Sequence, residues 1–123
     1  MANPNIVNVT SIYGNTSYLI PSTTGVTTWT ALTPASGTVN KIDNIVAANV
    51  TSSAATVTVS INSAVSGGGT AYRIAYQISV PPNASLIIAD KTTAFYVGEA
   101  QSIVVTVGTS SAIELTASYE AIT

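Results

Sequence analysis

Tyr72-Arg-Ile-Ala-Tyr-Gln-Ile-Ser-Val80, followed at once by Pro81-Pro82, is the stretch whose reading decides the fold. Tyr72, Ile74, Tyr76, Ile78 and Val80 alternate with Arg73, Ala75, Gln77 and Ser79. Successive side chains of a strand point to opposite faces, so this period of two predicts a half-buried β-strand. The aromatic and aliphatic set is expected to pack inward. The paired prolines then end the strand, because proline has no N–H to donate to a ladder.

The same alternation lies on both sides. Val57, Val59 and Ile61 alternate with Thr56, Thr58 and Ser60, and Ile113, Leu115, Ala117 and Tyr119 with Glu114, Thr116, Ser118 and Glu120. Further strands are predicted over residues 5–12, 16–20, 26–32, 39–49, 84–89, 94–97 and 101–107. Between 40 and 49, Ile42, Ile45 and Val46 would also suit a helix, but Asn, Asp and Thr flanks and β-branched residues favour strand. Gly, Pro, Asn and Ser clusters near residues 14, 21–25, 34–37, 51–54, 66–69 and 108–111 supply turns. Turns recurring about every 8–12 residues are the spacing of a sandwich or barrel. The expectation is one domain over 1–123: an all-β antiparallel β-sandwich, jelly-roll or Greek-key, of roughly eight to ten strands. Pro4 and three asparagines leave residues 1–10 able to form an extended arm instead of a core strand.

Composition removes most chemistry. The 123 residues include three basic and five acidic side chains, and neither cysteine nor histidine. There is no thiolate nucleophile, imidazole base, disulfide framework or Cys-based zinc site. Lys41, Arg73 and Lys91 cannot make the basic stripe that nucleic acid requires. No segment approaches the ~20 apolar residues of a membrane span. Met1-Ala-Asn-Pro-Asn5 lacks the basic and apolar regions of an export signal, which predicts a soluble chain not exported by that route. Charged residues make up 7% of the chain, against about 25% in an average domain. Two readings stand side by side: a Ser/Thr/Asn-covered surface, or a surface held against other protein in a permanent assembly.

The motifs add little catalysis. Asn8, Asn15, Asn49 and Asn83 each begin an Asn-x-Ser/Thr triplet, expected by chance in such a composition and read here as turns. Asp43, Asp90, Glu99, Glu114 and Glu120 show neither EF-hand spacing nor a paired arrangement, and Glu99 after Gly98 reads as a solvated turn residue. The glycines at 67–69 carry no Walker lysine. Neither an enzyme nor a bound cofactor or metal is expected. The predicted edges 5–12 and 16–20 contain no charge, although soluble monomers usually guard edges with Lys, Pro or bulges. Ile6, Val7, Val9, Ile12, Tyr13 and Tyr18 are therefore candidate interface residues, and Trp29, flanked by Thr28 and Thr30 in a segment that could be exposed, is expected to be buried in an interface beside them or in the core. The competing reading pairs the N-terminal segment inside its own sandwich. Exposed aromatics such as Trp29 would alternatively suit a carbohydrate-binding or adhesin-like module.

Asn40-Lys-Ile-Asp-Asn-Ile-Val-Ala-Ala-Asn49, Gly69-Thr-Ala-Tyr-Arg-Ile-Ala-Tyr76 and Pro82-Asn-Ala-Ser-Leu-Ile-Ile-Ala-Asp-Lys91 carry a resemblance. Phe95-Tyr-Val-Gly-Glu-Ala-Gln-Ser-Ile-Val104 and Leu115-Thr-Ala-Ser-Tyr-Glu120 complete it. Residues 37–119 resemble small structural proteins of tailed bacteriophages, especially those of marine cyanobacteria. The resemblance implies a β-sandwich virion component present in many copies, as a capsid decoration or cement subunit or as a tail or neck component. It implies other virion proteins, or further copies of this chain, as partners.

Overall fold

The computed structural model of the chain describes residues 3–123. Its strands are β1 (Ile12–Leu19), β2 (Thr27–Thr28), β3 (Val39–Asn49), β4 (Ala55–Asn62), β5 (Ala71–Val80), β6 (Ser85–Ala89), β7 (Phe95–Val97), β8 (Ser102–Val107) and β9 (Ile113–Ile122). Two single 3-10 turns, Thr30–Leu32 and Val65–Gly67, lie between them. Every strand pair is antiparallel. The pairs nest: β4 with β5, β3 with β6 and β7, β2 with β8, β1 with β9. That is one long hairpin whose tip is the glycine-rich loop before β5. Rolling it up adds the pairs β3·β9 and β4·β8, giving the sheets β1-β9-β3-β6 (with β7 also on β3) and β2-β8-β4-β5. The β-sandwich is a jelly roll, the first of the two connections expected.

The two sheets meet through their alternate residues. Ile42, Ile45, Ala47, Ile113, Leu115 and Ala117 from one sheet pack against Val57, Val59, Ile103, Val105 and Val107 from the other. Each large aliphatic buried this way contributes about 1.5–3 kcal/mol. The helix-like spacing of Ile42 and Ile45 has a β explanation. A bulge between Ile42 and Asn44 resets the alternation, so both isoleucines point inward, and Asn44 Oδ1 accepts the Ser118 N–H at 3.2 Å.

β5 departs from the uniform alternation expected of it. Its register against β4 slips between Ile78 and Ala75 and again between Ala75 and Arg73, each time leaving an extra residue on β5. Gln77 takes the left-handed φ of 48°, and its N–H is donated to Thr58 Oγ1. Val80 is buried and Ile74 half-buried, but Tyr72, Tyr76 and Ile78 are exposed. The expectation of an inward, packed aromatic face is corrected: Tyr76 lies between the two bulges, and Tyr72 and Ile78, opposite Ile61 and Val57, are left exposed because β5 is the outermost strand of its sheet.

The predicted strand 5–12 is corrected as well. Residues 3–11 contain no strand pairing except where the chain enters β1, and Met1 and Ala2 of the expected arm lie outside the described residues. Ser11 and Thr123 exchange backbone hydrogen bonds (3.2 and 2.9 Å), and Asn3 Oδ1 accepts the Glu99 N–H at 3.1 Å. Val39 and Ile122 are register partners on the outer side of the β3–β9 pair, yet both are buried. Pro4 and Ile6 line a shallow cleft with Val39 and Tyr96 there, so the segment lies beside the outer face of its own sandwich. Deleting residues 1–9 is expected to keep a β-rich circular dichroism spectrum while lowering stability by about 2 kcal/mol, through uncovering Val39 and Ile122. Urea melts check it; loss of the β spectrum would make the segment part of the folding core.

Candidate interaction edge

A jelly roll leaves outer strands whose free N–H and C=O groups can recruit another strand, and proteins usually blunt them. Three of the four outer edges here are blunted. β2 is two residues long. β5 carries the two bulges and Arg73, whose guanidinium sits 5.1 Å over the Tyr76 ring. β6 and β7 are short and separated by a turn in which Asp90 Oδ1 accepts the Thr92 hydroxyl (2.6 Å) and N–H (2.9 Å). Those two bonds, the hydroxyl first, hold the Asp90 pKa below its ordinary value.

β1 has none of these devices. Its eight residues pair with β9 in unbroken register and contain no charge and no proline. The direction of its hydrogen bonds follows from the Ser11–Thr123 exchange, which makes that a bonded pair. Antiparallel bonded and non-bonded pairs alternate, so Tyr13, Asn15, Ser17 and Leu19 bond β9. Ile12, Gly14, Thr16 and Tyr18 then turn their N–H and C=O groups away from the sheet. This is a four-residue docking template, flanked by the exposed side chains of Ile12, Tyr13, Tyr18 and Ile20. Tyr18 is 80% exposed.

No known protein family matches this chain, and no curated protein does either. The arrangement of its own residues has to carry the reading.

The candidate interface residues divide accordingly. Ile12, Tyr13 and Tyr18 fall together on the β1 edge. Ile6 and Val7 are exposed on the N-terminal segment, Val7 at 90%, and Val9 is half-buried there. Trp29 is a correction. It is 1% exposed, part of the hydrophobic core, and its Nε1–H is donated to Ser17 Oγ at 3.0 Å. A residue so enclosed presents nothing to a partner or a sugar. Its threonine neighbours suggested exposure, but the chain passes from β2 into a 3-10 turn there, which swings the indole between the sheets.

Sequence reasoning missed a second exposed apolar set. Tyr72, Tyr76 and Ile78 on β5 and Ile87 on β6 all reach solvent. No sequence signal marks the β5 bulges on either side of Tyr76, or the outermost places of β5 and β6 in their sheets. No group of three metal-ligating side chains occurs among the described residues, and the nearest ion pairs are Lys41 with Glu120 (3.8 Å) and with Asp43 (3.9 Å).

Proposed function

We propose that this chain is a non-enzymatic virion structural subunit, present in many copies, with capsid decoration or cement favoured over a tail or neck position. The observation that supports it most directly is the uncharged, unblunted β1 edge, suited to strand addition or apolar packing by a neighbouring subunit. The low charge content fits a surface largely held against other protein, and the resemblance to phage structural proteins points the same way. A cysteine-free sheet protein is also indifferent to redox conditions outside a cell.

Thr16→Lys places a charge on the edge without touching the core. It is expected to lower incorporation into particles at least tenfold while changing stability by less than about 0.5 kcal/mol. Quantitative mass spectrometry of purified particles reads both incorporation and copy number. Hundreds of copies favour a shell or repeated tail layer, a handful favours a tip, and absence from particles refutes the proposal.

A second reading, a glycan-binding module, draws support from the exposed Tyr72 and Tyr76 beside Arg73. A glycan-array signal lost in Tyr76→Ala would favour it over the structural subunit.

A further inference from the structure

Glu99 is the one buried acid among the described residues, at 6% exposure, where the sequence suggested a solvated turn. Both of its carboxylate oxygens are shielded from solvent and have no hydrogen-bond partner. The N–H groups beside it are donated elsewhere. Gly98 N–H goes to Gln101 Oε1 (2.8 Å), Glu99 N–H to Asn3 Oδ1 (3.1 Å), and Gln101 N–H to the Gly98 carbonyl (3.0 Å). A buried carboxylate without donors is strongly destabilising unless a proton or a positive charge neutralises it. The cationic side chains among the described residues do not. Lys41 is paired with Asp43 and Glu120, Arg73 lies over Tyr76, and neither they nor Lys91 lines the cleft next to Glu99.

That cleft, about 350 Å³, is bounded by Asn3, Ser63 and Gln101 together with Glu99. All four are oxygen-bearing side chains. Asn3 Oδ1, Gln101 Oε1 and Ser63 Oγ each accept one backbone N–H, from Glu99, Gly98 and Thr70 in turn, which fixes them and leaves further acceptor capacity. We propose that Glu99, with the oxygens of Asn3, Ser63 and Gln101, binds a hard divalent cation of the calcium class. Calcium takes several oxygen ligands in a flexible geometry, which suits one carboxylate among neutral oxygens from separate loops. Magnesium demands a near-ideal octahedron, and zinc prefers nitrogen or sulfur. A single carboxylate places the affinity in the weak range, roughly 10⁻⁴ to 10⁻³ M. The ion would join the N-terminal segment, the loop after β4 and the turn before β8, three parts of the chain far apart in sequence. The inference does not depend on the β1 edge or on a virion role.

Thermal melts of the full chain test it, with 10 mM CaCl₂, MgCl₂ or EDTA as the probes. Calcium is expected to raise the wild-type melting temperature by roughly 5 °C, and magnesium by clearly less. Glu99→Gln should melt at the same temperature in calcium and EDTA, and above the wild type in EDTA, because it removes the uncompensated charge. No calcium rise in the wild type, an equal rise with magnesium, or the same rise in Glu99→Gln would each overturn the proposal. Should Glu99→Gln fail to fold, calcium titration of the wild type followed by amide NMR decides the matter. Saturable shifts at Ser63, Gly98, Glu99 and Gln101 support the site. Shifts confined to Asp43, Glu120 or Asp90 overturn it.

Discussion

Trp29→Ala is expected to lower stability by about 4 kcal/mol, a large part of the 5–15 kcal/mol that holds a typical domain folded. Trp29 does more than fill volume. Its backbone N–H is donated to the Ile103 carbonyl of β8 at 2.8 Å, and its indole N–H to Ser17 of β1 at 3.0 Å. β8 and β1 belong to different sheets, so one residue ties the two layers together at the side where both have open edges. Its carbonyl also accepts the Leu32 N–H at 3.0 Å, closing the 3-10 turn that seats the fully buried Leu32. Truncation leaves a cavity between two sheets that cannot collapse without shifting both ladders. Trp29→Phe keeps most of the packing and loses the Ser17 bond, for about 1 kcal/mol. Urea unfolding followed by far-UV circular dichroism measures both, since Trp29 is the single tryptophan and its fluorescence disappears with it. A loss below about 1.5 kcal/mol in Trp29→Ala would show that the indole is not a core element. A glycan signal lost in Trp29→Ala would report unfolding before it reported a sugar contact.

Sequence patterning located the strands well where one face is buried and the ladder is regular. β3 spans 39–49 as predicted, and β4, β6, β8 and β9 lie within a few residues of their expected bounds. Their alternation is enforced by a core on one side, so the period survives in the residues. It was less informative where register slips. The run from Tyr72 to Val80 alternates faultlessly in sequence, yet Tyr76 falls between two extra residues on β5, and Tyr72 and Ile78, opposite Ile61 and Val57, stay exposed on the outermost strand of their sheet. Bulges depend on the partner strand's register, which one segment does not contain. Burial of Glu99 escaped for a related reason, since residue 3 helps to enclose it, and the choice of core over interface for Trp29 needed its contacts with β1 and β8. The charge-free edge was legible because it is a matter of composition. Which of its backbone groups are free needed the pairing with β9.

Asn49→Ala is expected to lower stability by about 3 kcal/mol, although it deletes only a small polar side chain at a turn. Asn49 is the last residue of β3 and is buried. Its Oδ1 accepts the Thr51 N–H (2.9 Å) and hydroxyl (2.8 Å), and its Nδ2 donates to the carbonyls of Ser53 (2.8 Å) and Val80 (3.0 Å). That fills the two acceptor and two donor positions of the amide. Alanine would strip the Val80 carbonyl of this partner at a buried position, and desolvated groups left unpaired cost about 1–3 kcal/mol each. It would also release the turn that aims β4 back across the sandwich, and loosen the end of β5 at Val80, so the loss falls on both sheets. Asn49→Asp separates the two halves of the amide. It keeps the acceptor for Thr51 but sets a buried carboxylate oxygen against two carbonyls, so it should be at least as damaging as alanine. Thr51→Ala, which removes one hydroxyl and leaves the Asn49 amide on Val80 and Ser53, should cost about 1 kcal/mol. Urea melts rank the three; Asn49→Ala within 1 kcal/mol of wild type would show that the network adds little. The same burial bears on the triplet Asn49-Val-Thr51, since an amide enclosed on four hydrogen bonds is closed to glycan attachment in the folded chain. Mass spectrometry after expression in a glycosylating host is therefore expected to find Asn49 unmodified, whatever happens at the exposed Asn8, Asn15 and Asn83.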